Sequence, residues 1–202
     1  DVPRLLRRSV RPGLVVVSVA PPDEHGYFSL GTNADYSAAF IGELPFFVEV
    51  NARMPRTYGA NQLHVSDIVG WCEADRPLVP MPPPEVTARD HAIAALVAER
   101  IPDGATLQIG IGAVPDMVLA GLGEHRELGV HTEVLGSGVV DLVERGVITG
   151  TRKATHRGKI VATVASGDEN LYEFVSDNPG IEFHPVDYTN DPKRLADGIG
   201  RV

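Results

Sequence analysis

Two stretches of this 202-residue chain combine residue types that could bind a ligand or react with one. The first is Gln108-Ile109-Gly110-Ile111-Gly112, which follows an apolar strand-like run and precedes a helix-like one. Glycines let a ligand approach the main chain, and the free N–H groups that open a helix favour an anion. The same glycines also suit a tight strand-to-helix turn that needs φ > 0, so the loop stands open to both readings. A third glycine at dinucleotide-binding spacing is missing, because position 115 is proline. The acidic residues at the distance of a ribose contact, Glu124 and Glu127, fall in a polar loop. A dinucleotide site is therefore disfavoured.

The second stretch is His131-Thr132-Glu133-Val134-Leu135, at the end of an expected strand over 129–135. Side chains near the carboxyl end of a parallel strand face the ligand crevice. An unpaired carboxylate in an apolar strand is costly. Glu133 is thus either a carboxylate on a polar face or paired with an arginine, or a nucleophilic or basic carboxylate beside the glycine loop. The seven histidines, at 25, 64, 91, 125, 131, 156 and 184, show no HxxxH or HExxH spacing, so no metal site is expected. No GxSxG elbow occurs, and the single cysteine, Cys72, has no local motif. Serine and cysteine hydrolase chemistry lack support.

These residues need elements to position them. Apolar strand-like runs alternate with amphipathic helical ones, the pattern of a largely parallel α/β sheet. Residues 14–19 (LVVVSV) read as a strand buried on both faces. Asn33 is expected to cap a short helix through Phe40, and 46–50 (FFVEV) reads as a strand. Residues 51–70 give no firm pattern. Pro77, Pro80, Pro82, Pro83 and Pro84 mark an extended linker. Beyond it, Thr87-Ala88-Arg89-Asp90 reads as a capping box for a helix whose apolar stripe is Ile93, Leu96 and Val97. Strands are expected at 105–109, 129–135 and 159–164. Helices are expected from Pro115 as first residue, over about 139–145, and after Asp168 as cap.

Composition narrows the function. With 18 Lys and Arg against 27 Asp and Glu, the net charge of −9 argues against non-specific nucleic-acid binding. Arg4, Arg7, Arg8 and Arg11 read as a solvated helix face. No apolar run reaches the length of a membrane span, and residues 1–11 lack the apolar stretch of a secretory signal. One cysteine allows no internal disulfide, and a cytoplasmic location is expected.

The stretches Pro21-Pro22-Asp23-Glu24-His25-Gly26-Tyr27-Phe28-Ser29-Leu30-Gly31, Glu49-Val50-Asn51 and Met54-Pro55-Arg56-Thr57 resemble the acetyl-CoA hydrolase/transferase family of class I CoA-transferases. The likeness is to the 4-hydroxybutyrate or butyrate:acetate CoA-transferases in particular. It continues through Asp103 to Gly112, Leu128 to Glu133, Gly138 to Val143 and Pro185 to Pro192. The resemblance implies an α/β fold of two CoA-transferase-like open sheets with flanking helices, both incomplete. Residues 1–76 would be the end of the first domain, 77–87 the linker, and 88–202 the start of the second.

The resemblance also implies that Glu133 is the catalytic glutamate and that Gln108, Ile109, Gly110, Ile111 and Gly112 contact CoA. The activity implied is transfer of CoA from an acyl-CoA to a small carboxylic acid through a glutamyl-CoA thioester. Acyl-CoA hydrolysis, or an inactive CoA-binding or structural fragment, are the alternatives. Coenzyme A or acyl-CoA would be substrate, with no resident cofactor and no metal. A homodimer or higher oligomer, or pairing with a complementary segment, is expected, because incomplete lobes expose strand edges. One departure is local: Gly136 and Ser137 stand where the family usually has serine and aspartate before Gly138.

Overall fold

A computed structural model describes residues 2–198. The chain opens with α1 (Val2–Leu5), which runs into a π turn, Leu6–Val10. There Arg7 pairs with Glu43 at 2.9 Å and lies over the Phe40 ring. Next come β1 (Val15–Val19), β2 (Tyr27–Ser29), a 3₁₀ turn at Ala38–Phe40, β3 (Phe46–Asn51), β4 (Gln62–His64), a 3₁₀ turn at Val65–Asp67 and β5 (Ile68–Ala74). After the prolines follow α2 (Ala88–Ala98), β6 (Thr106–Leu107), α3 (Ala113–Gly121), β7 (Gly129–Val130), β8 (Val134–Leu135) and α4 (Gly138–Glu144). The chain continues with β9 (Ile160–Ala162), β10 (Val164–Ala165), α5 (Glu169–Val175), β11 (Ile181–Phe183), α6 (Val186–Thr189) and α7 (Pro192–Gly198).

This is a mixed α/β structure of small, mostly parallel sheets. The largest has the order β1-β3-β5, all parallel, with Val17 opposite Val48 and Val48 opposite Trp71. β2 and β4 pair antiparallel, Phe28 against Leu63. Three further parallel pairs, β6–β7, β8–β10 and β9–β11, share the second half of the chain. Single bridges stitch them together: His131 to Val161, Asn33 to Val164 and Gly59 to Phe183. Gly59 has φ +123, and a Cβ there would strike the Phe183 main chain. One buried apolar cluster reaches from Phe28, Phe46 and Leu63 to Leu119, Leu135, Leu171 and Phe183.

Several expectations are corrected. β1 is not covered on both faces, since Val16 is 67% exposed. Asn33 caps no helix; it forms the bridge to Val164, and the short turn at Ala38–Phe40 follows Ser37 instead. The capping box at Thr87 forms as expected, with reciprocal Thr87 and Asp90 bonds. The helix it starts, however, turns Ala94 and Ala98 inward and leaves Ile93, Leu96 and Val97 at 41%, 56% and 40% exposed. The alanines let α2 lie close along α3, where the ideal Cβ direction of Gly121 points to within 3.4 Å of Ala98 Cβ. Pro115 is the third residue of α3, not the first.

The expected strand over 129–135 breaks into β7 and β8 at Glu133, and the one over 159–164 breaks into β9 and β10 at Thr163. Both breaks have one cause: the Glu133 carbonyl accepts from Thr163 N–H (3.0 Å) and Val164 N–H (2.9 Å). Two donors on one acceptor halt the even ladder of a parallel pair.

The residues between β5 and α2 form no helix or strand. They lie along the second half: Met81 N–H donates to Gly167 O at 2.8 Å, and Tyr172 OH donates to Val79 O at 3.3 Å. No helix among the described residues is long and apolar enough to cross a membrane.

Candidate active site

The glycine loop bridges β6 and α3. Gly112 sits before α3 at φ +124 and ψ 179, a conformation open in practice to glycine alone. The loop is fixed from the neighbouring segment. His131 N–H donates to Leu107 O at 2.9 Å. Ile109 N–H donates to Thr132 Oγ1 at 3.1 Å, and the same hydroxyl donates to Ile109 O at 2.7 Å. Glu133 follows Thr132 directly, so this clamp ties the loop to the main chain that carries the carboxylate. Among the described residues no hydrogen bond engages Gly110 N–H or Ile111 N–H.

Glu133 does not lie inside a strand, as the sequence suggested. It occupies the bend between β7 and β8 with its side chain exposed, so no burial penalty falls on the charge. Nor is its partner an arginine: Asn190 Nδ2 donates to Glu133 Oε2 at 2.5 Å. Asn190 closes α6, and that short helix is itself tied down. His131 Nε2 meets Thr189 O at 3.0 Å, and Val186 N–H donates to Asp35 O at 2.9 Å. Asp35 has φ +35, and burial, followed by the nearby charge of Glu133, holds its carboxyl above the ordinary range.

Beneath this surface sits Lys153, buried and donating to Val130 O at 2.8 Å and Lys159 O at 2.7 Å. Burial pushes its ammonium down to about 8, against the opposing pull of Glu182. Burial likewise lowers His131, with the Thr189 carbonyl acting the other way.

A cleft of about 420 Å³ opens beside the loop, walled by Ile111, Gly112, Gly136, Ser137, Asp168 and the linker residue Met81, among others. Gly136 and Ser137, the local departure noted in the sequence, are thus part of its wall. Ser137 Oγ donates to Asp168 Oδ1 at 2.8 Å and accepts from Asp168 N–H at 3.0 Å, which anchors the turn without a second carboxylate there. A larger groove of about 700 Å³ on the first sheet, lined by Phe28, Val50, Ile68 and Trp71, shares no wall with it.

The Thr132 clamp ties the glycine loop to the segment that carries Glu133. The supporting residues Thr132, Lys153, Asp35 and Asn190 were not singled out. Asn190 lies 57 positions from Glu133, and no spacing rule reaches that far.

This α/β fold is that of CoA-transferase domains. The chain is a segment of the CoA-transferase family, and it spans about half the length of the relatives it matches. It is 41% identical over 197 residues to the succinyl-CoA:cyclohexane-1-carboxylate CoA transferase of Geobacter metallireducens, covering 97% of this chain and 45% of that protein. Identity to the 4-hydroxybutyrate coenzyme A transferase of Clostridium kluyveri is 44% over 195 residues, covering 95% and 45%. The crystal structure of RipA from Yersinia pestis superposes with a TM-score of 0.93 at 42% identity, over 97% of this chain and 46% of that one. The 4-hydroxybutyrate CoA-transferase of Porphyromonas gingivalis superposes at 0.92 with 39% identity, covering 98% and 51%. No family model matches the chain.

Proposed function

We propose that Glu133 is the nucleophile of a CoA-transferase reaction that moves CoA from an acyl-CoA to a small carboxylic acid. The observation that carries this reading is an exposed carboxylate, held by Asn190, on the residue directly after Thr132, whose hydroxyl clamps a loop with two unengaged N–H groups. Similarity to proteins named as CoA-transferases acting with succinyl and 4-hydroxybutyrate groups supports it.

In the first step a Glu133 oxygen attacks the thioester carbonyl carbon. The C–S bond breaks, giving a mixed anhydride and CoA thiolate. The thiolate then attacks the Glu133 carbonyl of the anhydride, the original acid leaves as carboxylate, and a glutamyl-CoA thioester remains. The acceptor carboxylate repeats the two steps in reverse and departs as the new acyl-CoA, returning Glu133 to its ionised form. No proton or electron is left unaccounted for. Covalent catalysis divides one hard displacement into easier ones. A carboxylate suits it because the anhydride is about as activated as the thioester. Each exchange passes through a tetrahedral oxyanion, and Gly110 N–H and Ile111 N–H are the donors we assign to it. Loss of one such donor costs about 3–4 kcal/mol of barrier.

Incubation with acetyl-CoA or butyryl-CoA followed by peptide mass spectrometry tests the assignment. CoA is expected on the Glu133 peptide and not in Glu133→Gln. An unmodified Glu133 peptide, with a full-length relative modified in parallel, overturns it for this chain.

A further inference from the structure

Two histidines and a glutamate outside the Glu133 loop converge at the end of β11. Glu182 and His184 stand two residues apart, the spacing that puts side chains on one side of an extended segment. His184 Nε2 lies 3.3 Å from Glu182 Oε2, and His156 Nδ1 lies 2.6 Å from the same oxygen. His156 comes from the loop before β9, where it holds a left-handed φ of +48 that few non-glycine residues adopt. Strained backbone of this kind persists where surrounding contacts over-determine it. Those contacts are here: Tyr188 OH meets His156 Nε2 at 2.5 Å, and its ring stacks on His184 at 4.3 Å and 19°. The three side chains are half-buried, so the cluster is shielded yet reachable from solvent.

We propose that His156 Nδ1, His184 Nε2 and Glu182 Oε2 form a three-ligand site for a divalent transition cation of the zinc type. The three ligand atoms lie within 4.8 Å of one another. Two imidazoles and a carboxylate, with water in the fourth position, are a ligand set that zinc accepts. Bond lengths of about 2.0–2.1 Å place tetrahedral ligand atoms about 3.3 Å apart, which is the Glu182–His184 separation as it stands. Closing on an ion asks His156 to withdraw from Glu182 by about 0.7 Å and the two imidazole nitrogens, within 4.8 Å of each other, to draw together. The protons shared between the rings and the carboxylate leave to solvent as the ion enters. With its Nδ1 on the ion, His156 keeps its Nε2–H for Tyr188 OH, the outer partner that fixes tautomer and ring orientation at metal-bound histidines.

The test uses the untagged chain, stripped with chelator, titrated with zinc chloride by calorimetry and with Co²⁺ by visible absorption. One equivalent should bind saturably, and Co²⁺ should give the intense band of a four-coordinate site. Glu182→Gln and His184→Ala should each weaken binding by at least about 100-fold, and Tyr188→Phe by about 10–100-fold. His64→Ala, on the antiparallel β2–β4 pair, should bind as the parent does. Circular dichroism confirms that each variant is folded, and the isosteric Glu182→Gln decides the matter if His184→Ala is not. Absence of saturable binding, or binding that survives Glu182→Gln, overturns the site. Because the readout is metal binding, it is independent of acyl transfer.

Discussion

Thr132 grips the Ile109 main chain at two points, taking its N–H at 3.1 Å and giving its own hydroxyl proton to its carbonyl at 2.7 Å. One side chain thereby sets the distance between the glycine loop and the residue that follows it, Glu133. Thr132→Val keeps the shape and deletes both bonds, leaving two shielded main-chain groups without partners. A loss of about 1–3 kcal/mol is expected in urea denaturation, together with faster amide exchange at Ile109. Unchanged exchange at Ile109 would show that the loop is held by something else.

Asn190 is expected to matter for reaction and not for folding. Its amide contacts an exposed carboxylate, where a hydrogen bond adds little to folding, whereas misplacing a reacting group by about 1 Å costs about 100-fold in rate. Asn190→Ala should slow CoA loading of Glu133 by that factor while the urea midpoint moves little. Loading at the parent rate would remove Asn190 from the account.

Lys153 gives the chain a characteristic alkaline response. Folded, its ammonium loses its proton near pH 8; unfolded, it keeps it to about 10.5. Between those values the unfolded chain binds more protons, so this residue makes stability rise with pH, by about 3 kcal/mol across the window. Below pH 8 both states are charged and it adds no slope. Lys153→Met should flatten the rise seen in urea midpoints between pH 8 and 10.5. Parallel curves for the two proteins would contradict the burial of an ionisable amine.

The two faces of α2 should differ in their tolerance of substitution. Ala98→Leu pushes a larger side chain into the α2–α3 contact and should cost about 1–3 kcal/mol. Leu96→Lys, on the exposed side, should stay within about 0.5 kcal/mol of the parent. The reverse ranking in thermal denaturation would restore the reading in which Ile93, Leu96 and Val97 form the buried stripe.

That reversal shows what sequence can and cannot convey here. The Thr87–Asp90 box and the Asp168 cap were legible because each is settled within four residues by local hydrogen bonding. The strand at Phe46–Asn51 was legible because its β-branched and aromatic run fits a pleated surface. The orientation of α2 was not, since periodicity identifies an apolar face without saying whether small or large residues meet the neighbour. The bend at Glu133 was hidden because Thr163 and Val164, which cause it, lie some thirty positions away. The clusters around Glu133 and Glu182 are likewise assembled from distant segments by the pairing of short strands.

The Glu133 carbonyl is held by two N–H groups of the facing segment, and the residue before it is fastened to the glycine loop. The main chain beneath the carboxylate is therefore moored on both sides, and only side-chain torsions remain free. In the proposed reaction, acyl groups and thiols come and go around a stationary post. On that reading the tempo of exchange is set by movement of the surroundings, first among them Asn190 and the short helix it closes.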